Sequence, residues 1–255
     1  MFAEERQQAI ADLVARRGRL SVNEIAASFE VTTETVRRDL SLLERAGLVR
    51  RVHGGAIPAA ALTVFETAVA DRDAANSAQK DRVAQAALAF LPTGGGSVIL
   101  DAGTTTVRLA PLLPHDPDFA VFTNAVPVAT RLAGRANVEL HLLPGRVRRT
   151  TQAAVGEETV EALSRLRADV AFLGTNGLTV SHGLSTPDAS EAAVKRAMVR
   201  AARHVVVLAD SSKVGHESTV SFAGLDQVDV VVTDDGIGDE DHKALADAGV
   251  QVVVA

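Results

Sequence analysis

The sequence predicts an α/β protein in two parts, a small helical module followed by a domain built on a mostly parallel sheet. Two patterns carry this expectation. From Ser97 onward, short apolar runs alternate with stretches of helical periodicity, as in a sheet whose strands are joined by helical crossovers. The first 57 residues instead read as helix, short helix, tight turn, longer helix and basic hairpin. Charge separates the same halves. Residues 1–57 hold nine Arg against eight Asp and Glu, a surplus of one, whereas residues 58–255 hold 17 basic and 24 acidic residues, a deficit of seven.

The first predicted helix is Glu4–Arg16, with Ile10, Leu13 and Val14 at core spacing and Gly18 as its stop. Ser21 and Glu24 form a capping box that opens a short helix over Val22–Phe29, with Ile25, Ala26 and Phe29 inward. After a short turn, Val31 and Val36 bracket Thr32 as a hydrophobic staple brackets an N-cap. Thr32 is placed to accept a hydrogen bond from the amide of Thr35. Val36, Leu40 and Leu43 then make one buried stripe, which leaves Thr33, Thr35, Arg37, Arg38 and Ser41 off it. Gly47 ends the helix in the left-handed conformation. Leu48–Val52 follows as a short strand, turned by His53-Gly54-Gly55. This order is a winged helix-turn-helix. Its longer helix alone reads equally well as a solvated amphipathic helix. In combination with what precedes it, the helix suits a major groove: Arg reads guanine edges or grips phosphate, and Thr bonds bases or touches a thymine methyl. Residues 31–57 carry five Arg against three acids. The basic charge is therefore local, and a phosphate backbone feels charge within a Debye length of roughly 8 Å.

Ile57–Leu62, IPAAAL, reads as a linker of small residues, and Phe65–Leu91 as an alanine-rich helical stretch ending at Pro92. The expected division is a DNA-binding module over 1–57, a linker over 58–74 and a second domain over 75–255. Within that domain strands are predicted around Val98–Leu100, Ala120–Phe122, Val138–Leu143, Val170–Leu173, Val205–Leu208, Val228–Val232 and Gln251–Val254. Helical patterns fall at about 105–113, 125–134, 156–166, 188–202 and 239–248. Such sheets bind ligands at the carboxyl ends of their strands. After the first strand stand Asp101, Gly103, Thr104, Thr105 and Thr106, where amides and hydroxyls suit a phosphate. The same threonines serve equally as helix caps. After the second strand stand Thr123 and Asn124, and after the third Arg146, Arg148, Arg149 and Gln152. Arg148 is the candidate clamp, since a guanidinium binds phosphate oxygens in pairs, although three clustered arginines also make an ordinary solvated face. Asn176 follows the fourth strand. Asp188, Glu191 and Lys195 then share one helix face, as a cluster for sugar hydroxyls or as a surface i,i+4 pair. Asp210 and Lys213 follow the next strand.

The composition is that of an ordinary soluble globular protein, with 47% hydrophobic and 23% charged residues. No apolar run approaches the roughly 18 residues needed to span a membrane. The N-terminus MFAEERQQ lacks signal-peptide architecture, so a cytoplasmic location is expected. There is no cysteine, hence no disulfide or thiolate metal site. Without Trp or Tyr the chain lacks an aromatic platform for single-stranded nucleic acid. The seven histidines show no metal-ligand spacing, so no metal and no cofactor are expected.

The run LSVNEIAASFEVTTETVRRDLSLLERAGLVRRVHGGA resembles the N-terminal module of the DeoR family of bacterial transcriptional repressors, most closely in TVRRDL and in the Val-Arg-Arg-Val-His-Gly-Gly that follows. The resemblance implies that the third helix enters the major groove of double-stranded operator DNA. Thr32, Thr33, Thr35, Arg37 and Arg38 would make the contacts, with Arg51 and His53 on the wing. The stretches DAGTTT, TN, GLSTPDASEAAVK and ADSSK resemble the sensor domain of the same family, which is similar in fold to ribose-5-phosphate isomerase and glucosamine-6-phosphate deaminase. This implies a phosphorylated sugar as effector. One departure is Pro144-Gly145, where the family more often shows two glycines. FLGTNGLT, HGLST and VVVLADSSKVG resemble the branch that controls phosphotransferase-system and fructose genes, which implies fructose 1-phosphate as inducer. A homo-oligomer, dimer or tetramer, is expected because one such module covers only a half-site. The expected function is thus a repressor and not an enzyme. The alternative from another class is an aldose–ketose isomerase with an appended DNA module, with Asp188, Glu191 and Lys195 supplying a carboxylate base and oxyanion stabilisation. A third reading makes the second domain an oligomerisation scaffold.

Overall fold

A computed structural model of the chain describes residues 3–17, 20–52, 54–58 and 69–255. Contacts divide the chain into residues 1–62 and 63–255. The first unit runs α1 (Ala3–Arg17), β1 (Leu20–Ser21), α2 (Val22–Phe29), α3 (Thr33–Arg45), β2 (Val49–Val52) and β3 (Gly55–Pro58). Its core is Ile10, Val14, Leu20, Ile25, Val36, Leu40, Leu43, Val49 and Ala56. The capping box of α2 is formed: the Glu24 amide donates to Ser21 Oγ at 3.2 Å and the Ser21 amide to Glu24 Oε2 at 2.7 Å. Strands β2 and β3 pair antiparallel as the wing. The two-residue β1, which the sequence did not signal, pairs with β3 as a third strand. Gly55 explains how it fits: a Cβ there would stand 2.0 Å from the Leu20 carbonyl oxygen. His53, expected to turn the wing, lies outside the described residues, as do 59–68 of the expected linker. Pro58, at the start of that linker, belongs to β3, and residues 69–74 at its end are helical.

The second unit opens with α4 (Val69–Ala74) and α5 (Ser77–Ala87). These are two helices where the sequence suggested one, because Asn76 turns into the left-handed region with φ 52°. Then follow β4 (Gly96–Leu100), α6 (Thr106–Leu109), β5 (Phe119–Thr123), α7 (Val126–Leu132) and β6 (Val138–Leu142). After a hairpin of β7 (Arg146–Arg148) and β8 (Ala153–Val155) come α8 (Glu157–Ser164), β9 (Ala168–Gly174), β10 (Gly177–Thr179), β11 (Gly183–Thr186) and α9 (Ala189–Ala201). The chain ends through β12 (Ala202–Leu208), β13 (Val220–Ala223), β14 (Val230–Thr233), α10 (Asp239–Asp247) and β15 (Gln251–Val254).

The seven predicted strands are the seven of one sheet, in the order β15-β14-β12-β9-β4-β5-β6. Every neighbouring pair is parallel. Alternate residues feed two cores, as a sheet covered on both faces requires. Val98, Leu100, Phe172, Val206 and Leu208 pack with residues of α5, α6 and α7. Ile99, Ala171, Leu173, Val205 and Val207 pack with residues of α8, α9 and α10. Two small antiparallel sheets, β7–β8 and β10–β11–β13, were not predicted. Their strands have only three or four residues, too few for alternation to show. The order also locates a crevice. From β4 the chain builds β5 and β6 on one side, then crosses to β9, β12, β14 and β15 on the other. The connections diverge at β4 and β9, and a doubly wound sheet binds its ligand at that switch point.

Candidate functional site

In the first unit, α3 buries one face and leaves the opposite one exposed. Thr32 is its N-cap and accepts the Thr35 amide at 3.2 Å, and the two hydroxyls lie 2.9 Å apart. Val36, Leu40 and Leu43 face the core, while Arg37 and Arg38 are exposed and Thr33 and Thr35 partly so. Arg37 Nη1 lies 3.4 Å from Glu34 Oε2 in an exposed pair. Arg51 ties the wing to the helix. Its amide donates to Glu44 Oε1 at 2.8 Å, and its Nη1 donates to Ser41 Oγ at 2.9 Å. One polar residue on the inner face went unnoticed in the sequence. Asp39 is 3% exposed and accepts Arg6 Nε at 2.6 Å and Gln7 Nε2 at 2.9 Å, both from α1. Its neighbours in sequence are Arg and Leu, and only the tertiary contact with α1 distinguishes it from a surface acid.

In the second unit a narrow cleft lies at the switch point, lined by Asp101, Ala102, Asn124, Ala153, Glu191 and Lys195. Asp101, directly after β4, is 1% exposed. Its Oδ2 accepts from Lys195 Nζ and, at 3.0 Å, from the Gly174 amide at the end of β9. Lys195 also donates to the Gly174 carbonyl at 2.9 Å and stands 5.4 Å from the centroid of the Phe222 ring. Burial pushes the Asp101 carboxyl above the usual carboxylate range, and Lys195 pulls it back.

Across the cleft, Glu191 is 6% exposed. Its Oε1 accepts from Arg148 Nη1 and from the Thr151 hydroxyl. Arg148 Nη2 lies 3.2 Å from Asp188 Oδ2, while Asp188 Oδ1 caps α9 by accepting the Glu191 amide at 2.9 Å. The Glu191–Lys195 pair is therefore not an i,i+4 surface contact: each residue is buried and bonded to a different element. Asn124 is 2% exposed and donates from Nδ2 to the Ala154 carbonyl at 3.0 Å. Its Oδ1 has no hydrogen-bond partner among the described residues.

The remaining expected residues separate by what they bond. Thr106 donates to the Asp101 carbonyl at 2.7 Å and the Gly103 carbonyl at 3.0 Å, so its hydroxyl closes the loop on itself. Thr123 donates to the Leu100 carbonyl at 2.6 Å and accepts the Ala125 amide at 3.0 Å. Thr105 is buried and Thr104 half-buried beside Gly103. Gln152 is exposed at the hairpin turn with φ 55°, and Asn176 is half-buried with its amide on the Ser185 carbonyl. Asp210 and Lys213 are not among the residues that line the cleft, and they bond to another group. Asp210 accepts Asn76 Nδ2 at 2.9 Å and the Ser212 hydroxyl, and Lys213 Nζ stands 4.0 Å from its other oxygen. Burial alone would raise the Asp210 carboxyl, but Lys213, Ser212, Asn76 and Lys80 together hold it below the usual range. Thr151, Ala102 and Ala153 were not among the expected residues. The hairpin that brings Thr151 and Ala153 to the cleft left no periodicity to read.

The residues around the cleft are polar and mostly paired with one another. Among the described residues no group of three or more His, Cys, Asp or Glu could hold a metal ion, and no helix is long and apolar enough to cross a membrane. Residues 6–60 match the model of the DeoR-like helix-turn-helix domain, and residues 75–235 that of the DeoR C-terminal sensor domain. The chain is 34% identical to a putative aga operon transcriptional repressor of Escherichia coli O157:H7, over 98% of this chain and 93% of that one. It is 37% identical to the HTH-type transcriptional regulator GlpR of Haloferax volcanii, over 99% and 98%. It is 32% identical to the glycerol-3-phosphate regulon repressor of Escherichia coli K12, over 92% of each. The chain therefore belongs to the DeoR family, as a DNA-binding transcriptional regulator with a C-terminal sensor domain.

Proposed function

We propose that the chain represses genes of carbohydrate uptake or metabolism and leaves its operator when a phosphorylated sugar occupies the cleft between β4 and β9. The observation that carries this reading is the unpaired, buried Asn124 Oδ1 in a cleft lined by polar groups. A buried acceptor left unpaired costs about 1–3 kcal/mol. A ligand hydroxyl donating to it removes that cost, and the Asp101 and Glu191 carboxylates offer further acceptors. Lys195, Arg148 and the amides of the loop 103–106 supply the positive partners of a phosphate. A relative whose name attaches it to a glycerol 3-phosphate regulon supports a phosphorylated polyol. Fructose 1-phosphate is the first choice of effector, from the likeness to the fructose branch.

Asp101, Gly103, Thr104, Thr105, Asn124, Arg148, Asp188, Glu191 and Lys195 are the proposed effector shell, with Thr106 and Thr123 shaping it from behind. Thr32, Thr33, Thr35, Arg37 and Arg38 are the proposed operator contacts. A homodimer or tetramer in the cytoplasm completes the reading, since paired modules suit two half-sites. Release is a matter of linkage: the effector binds one state of the protein more tightly, and weakens operator binding by the factor by which operator weakens effector binding.

The test is a thermal-shift panel of sugar phosphates followed by gel shifts on the promoter of the protein's own gene. An extrinsic dye is needed, because the chain has no Trp or Tyr. A compound that raises the melting temperature and weakens the gel shift supports the reading. A broad panel in which no phosphorylated sugar does either defeats it.

A further inference from the structure

The first described helix of the second unit, α4, is tethered to both walls of the cleft. The wall after β4 reaches it through Arg108 of α6, two residues beyond the Thr106 that starts that helix. Arg108 Nη1 donates to Asp73 Oδ1 at 2.6 Å and Nη2 to the Asp73 carbonyl at 3.1 Å, while Nη2 also reaches Ser77 Oγ at 2.8 Å. The same Nη1 lies 3.4 Å from the Thr104 carbonyl in the loop, and Nε lies 2.9 Å from Asp81 Oδ1. The opposite wall reaches α4 through Arg72, whose Nη2 donates at 3.2 Å to the carbonyl of Thr150. Thr150 sits in the turn between β7 and β8, next to Thr151 and two residues after Arg148, which both hold Glu191.

Alpha-helix α4 has six residues. A helix this short has no stability of its own, since isolated helices below about 12–15 residues are marginal in water. Its order rests on tethers. Below it, the buried Lys80 donates to the carbonyls of Arg72 and, at 2.6 Å, Ala75, and Asn76 donates to Asp210. A ligand that draws the loop 101–105 and the β7–β8 hairpin together, or pushes them apart, changes the span between Arg108 and the Thr150 carbonyl. The short helix must follow or lose a tether. Among the described residues α4 is the first helix after the wing of the DNA-binding unit, separated from Pro58 by residues 59–68.

We propose that Arg108 and Arg72 are positioning residues that pass occupancy of the cleft to α4, and through it to the chain that leads to the DNA-binding unit. The inference rests on the cleft being the effector site. It names residues outside the effector shell, and it requires no contact between them and the effector.

The experiment uses the full chain. Amide hydrogen exchange of peptides spanning residues 69–76 is measured without addition and with fructose 1-phosphate, glycerol 3-phosphate or inorganic phosphate. Dye-based melting of the same samples reports binding. A compound that raises the melting temperature is expected to change exchange over 69–76 by threefold or more. In Arg108→Ala that compound still raises the melting temperature, but the exchange change is lost, and operator affinity with and without it agrees within twofold. Asp73→Ala takes the carboxylate, 54% exposed, out of the tether from the α4 side and leaves only the bonds to the Asp73 carbonyl and Ser77, so it must shrink the ligand-induced exchange change at least twofold if Arg108→Ala is poorly folded. A clamp with only a structural role would speed exchange equally in both states and leave the ligand-induced change intact, which overturns the proposal. So does an exchange rate over 69–76 that a bound compound leaves unchanged in the wild type, although the effector reading then stands. If no compound shifts the melting temperature, the effector reading fails first and the coupling fails with it.

Discussion

Three single residues hold disproportionate weight. Asp39 is buried and shared by Arg6 and Gln7. Removing Asp39 costs the part-buried Arg6 and Gln7 their charge-assisted hydrogen bonds, worth about 2 kcal/mol. Asp39→Ala is expected to lower the melting of the N-terminal unit by about 10 °C or more, while the sensor unit melts as before; scanning calorimetry of the full chain reads both. Arg38 is exposed and has no hydrogen-bond or ion-pair partner among the described residues, whereas Arg37 shares Glu34. Arg38→Ala is expected to weaken operator binding by about 10- to 100-fold, the range for loss of one arginine contact to a base. Arg37→Ala should lose less, and fluorescence anisotropy on one operator ranks them. Asp210 makes a pH prediction. Its carboxyl is held below its ordinary value of 3.8, so the folded state favours the ionised form. Stability from this group is present above about pH 4 and lost as pH falls through its lower folded value. The gap in stability between wild type and Asp210→Asn should shrink over that acid range, and a gap that stays constant would contradict the assignment.

At the scale of elements, the wing depends on a close approach. Strand β3 passes β1 at Gly55, and a methyl group there would overlap the Leu20 carbonyl. Gly55→Ala is expected to displace β3 and with it Arg51, which pins the wing to α3. Operator affinity should fall at least tenfold, with the sensor unit's thermal response unchanged. Helix α9 shows the reverse dependence, of a site on an element. Asp188 caps it, Glu191 and Lys195 project from one face, and Arg148 and Asp101 meet them from two other segments. A regular helix whose face is fixed by Ala192, Val194 and Met198 in the core holds these charges more firmly than a loop does.

At the scale of the molecule, the proposed control needs both units. Residues 31–57 carry five Arg against three acids, a local surplus of two that gives a single copy only a modest electrostatic hold on DNA. We expect a dimer or larger in sedimentation velocity, with an operator affinity that falls steeply when the oligomer is diluted apart. A monomer that binds its operator at full strength would remove the basis for control by pairing. Within the sensor, Lys195→Met is expected to leave operator binding within about twofold and to abolish the effector response, because the ammonium belongs to the cleft. Lys213→Ala is expected to act more weakly, since Lys213 stands with Asp210 at the α4–α5 junction.

The sequence by itself determined the framework. Both parts of the fold, all seven sheet strands and the caps of α2 and α3 were legible, because each is written in local periodicity or in a capping pair three residues apart. The family signature lies in one contiguous run for the same reason. What only the tertiary structure decided are the partners. Lys195 bonds Asp101 across 94 positions rather than its helical neighbour Glu191. Thr106 and Thr123 spend their hydroxyls on the backbone. Asp210 turns to the junction with Asn76, and the hairpin brings Thr151 to Glu191. The physical reason is common to all of these. A polar side chain is neutral toward its own helix or strand, and it is assigned a partner only when folding removes water from around it and an unpaired charge or hydroxyl becomes costly.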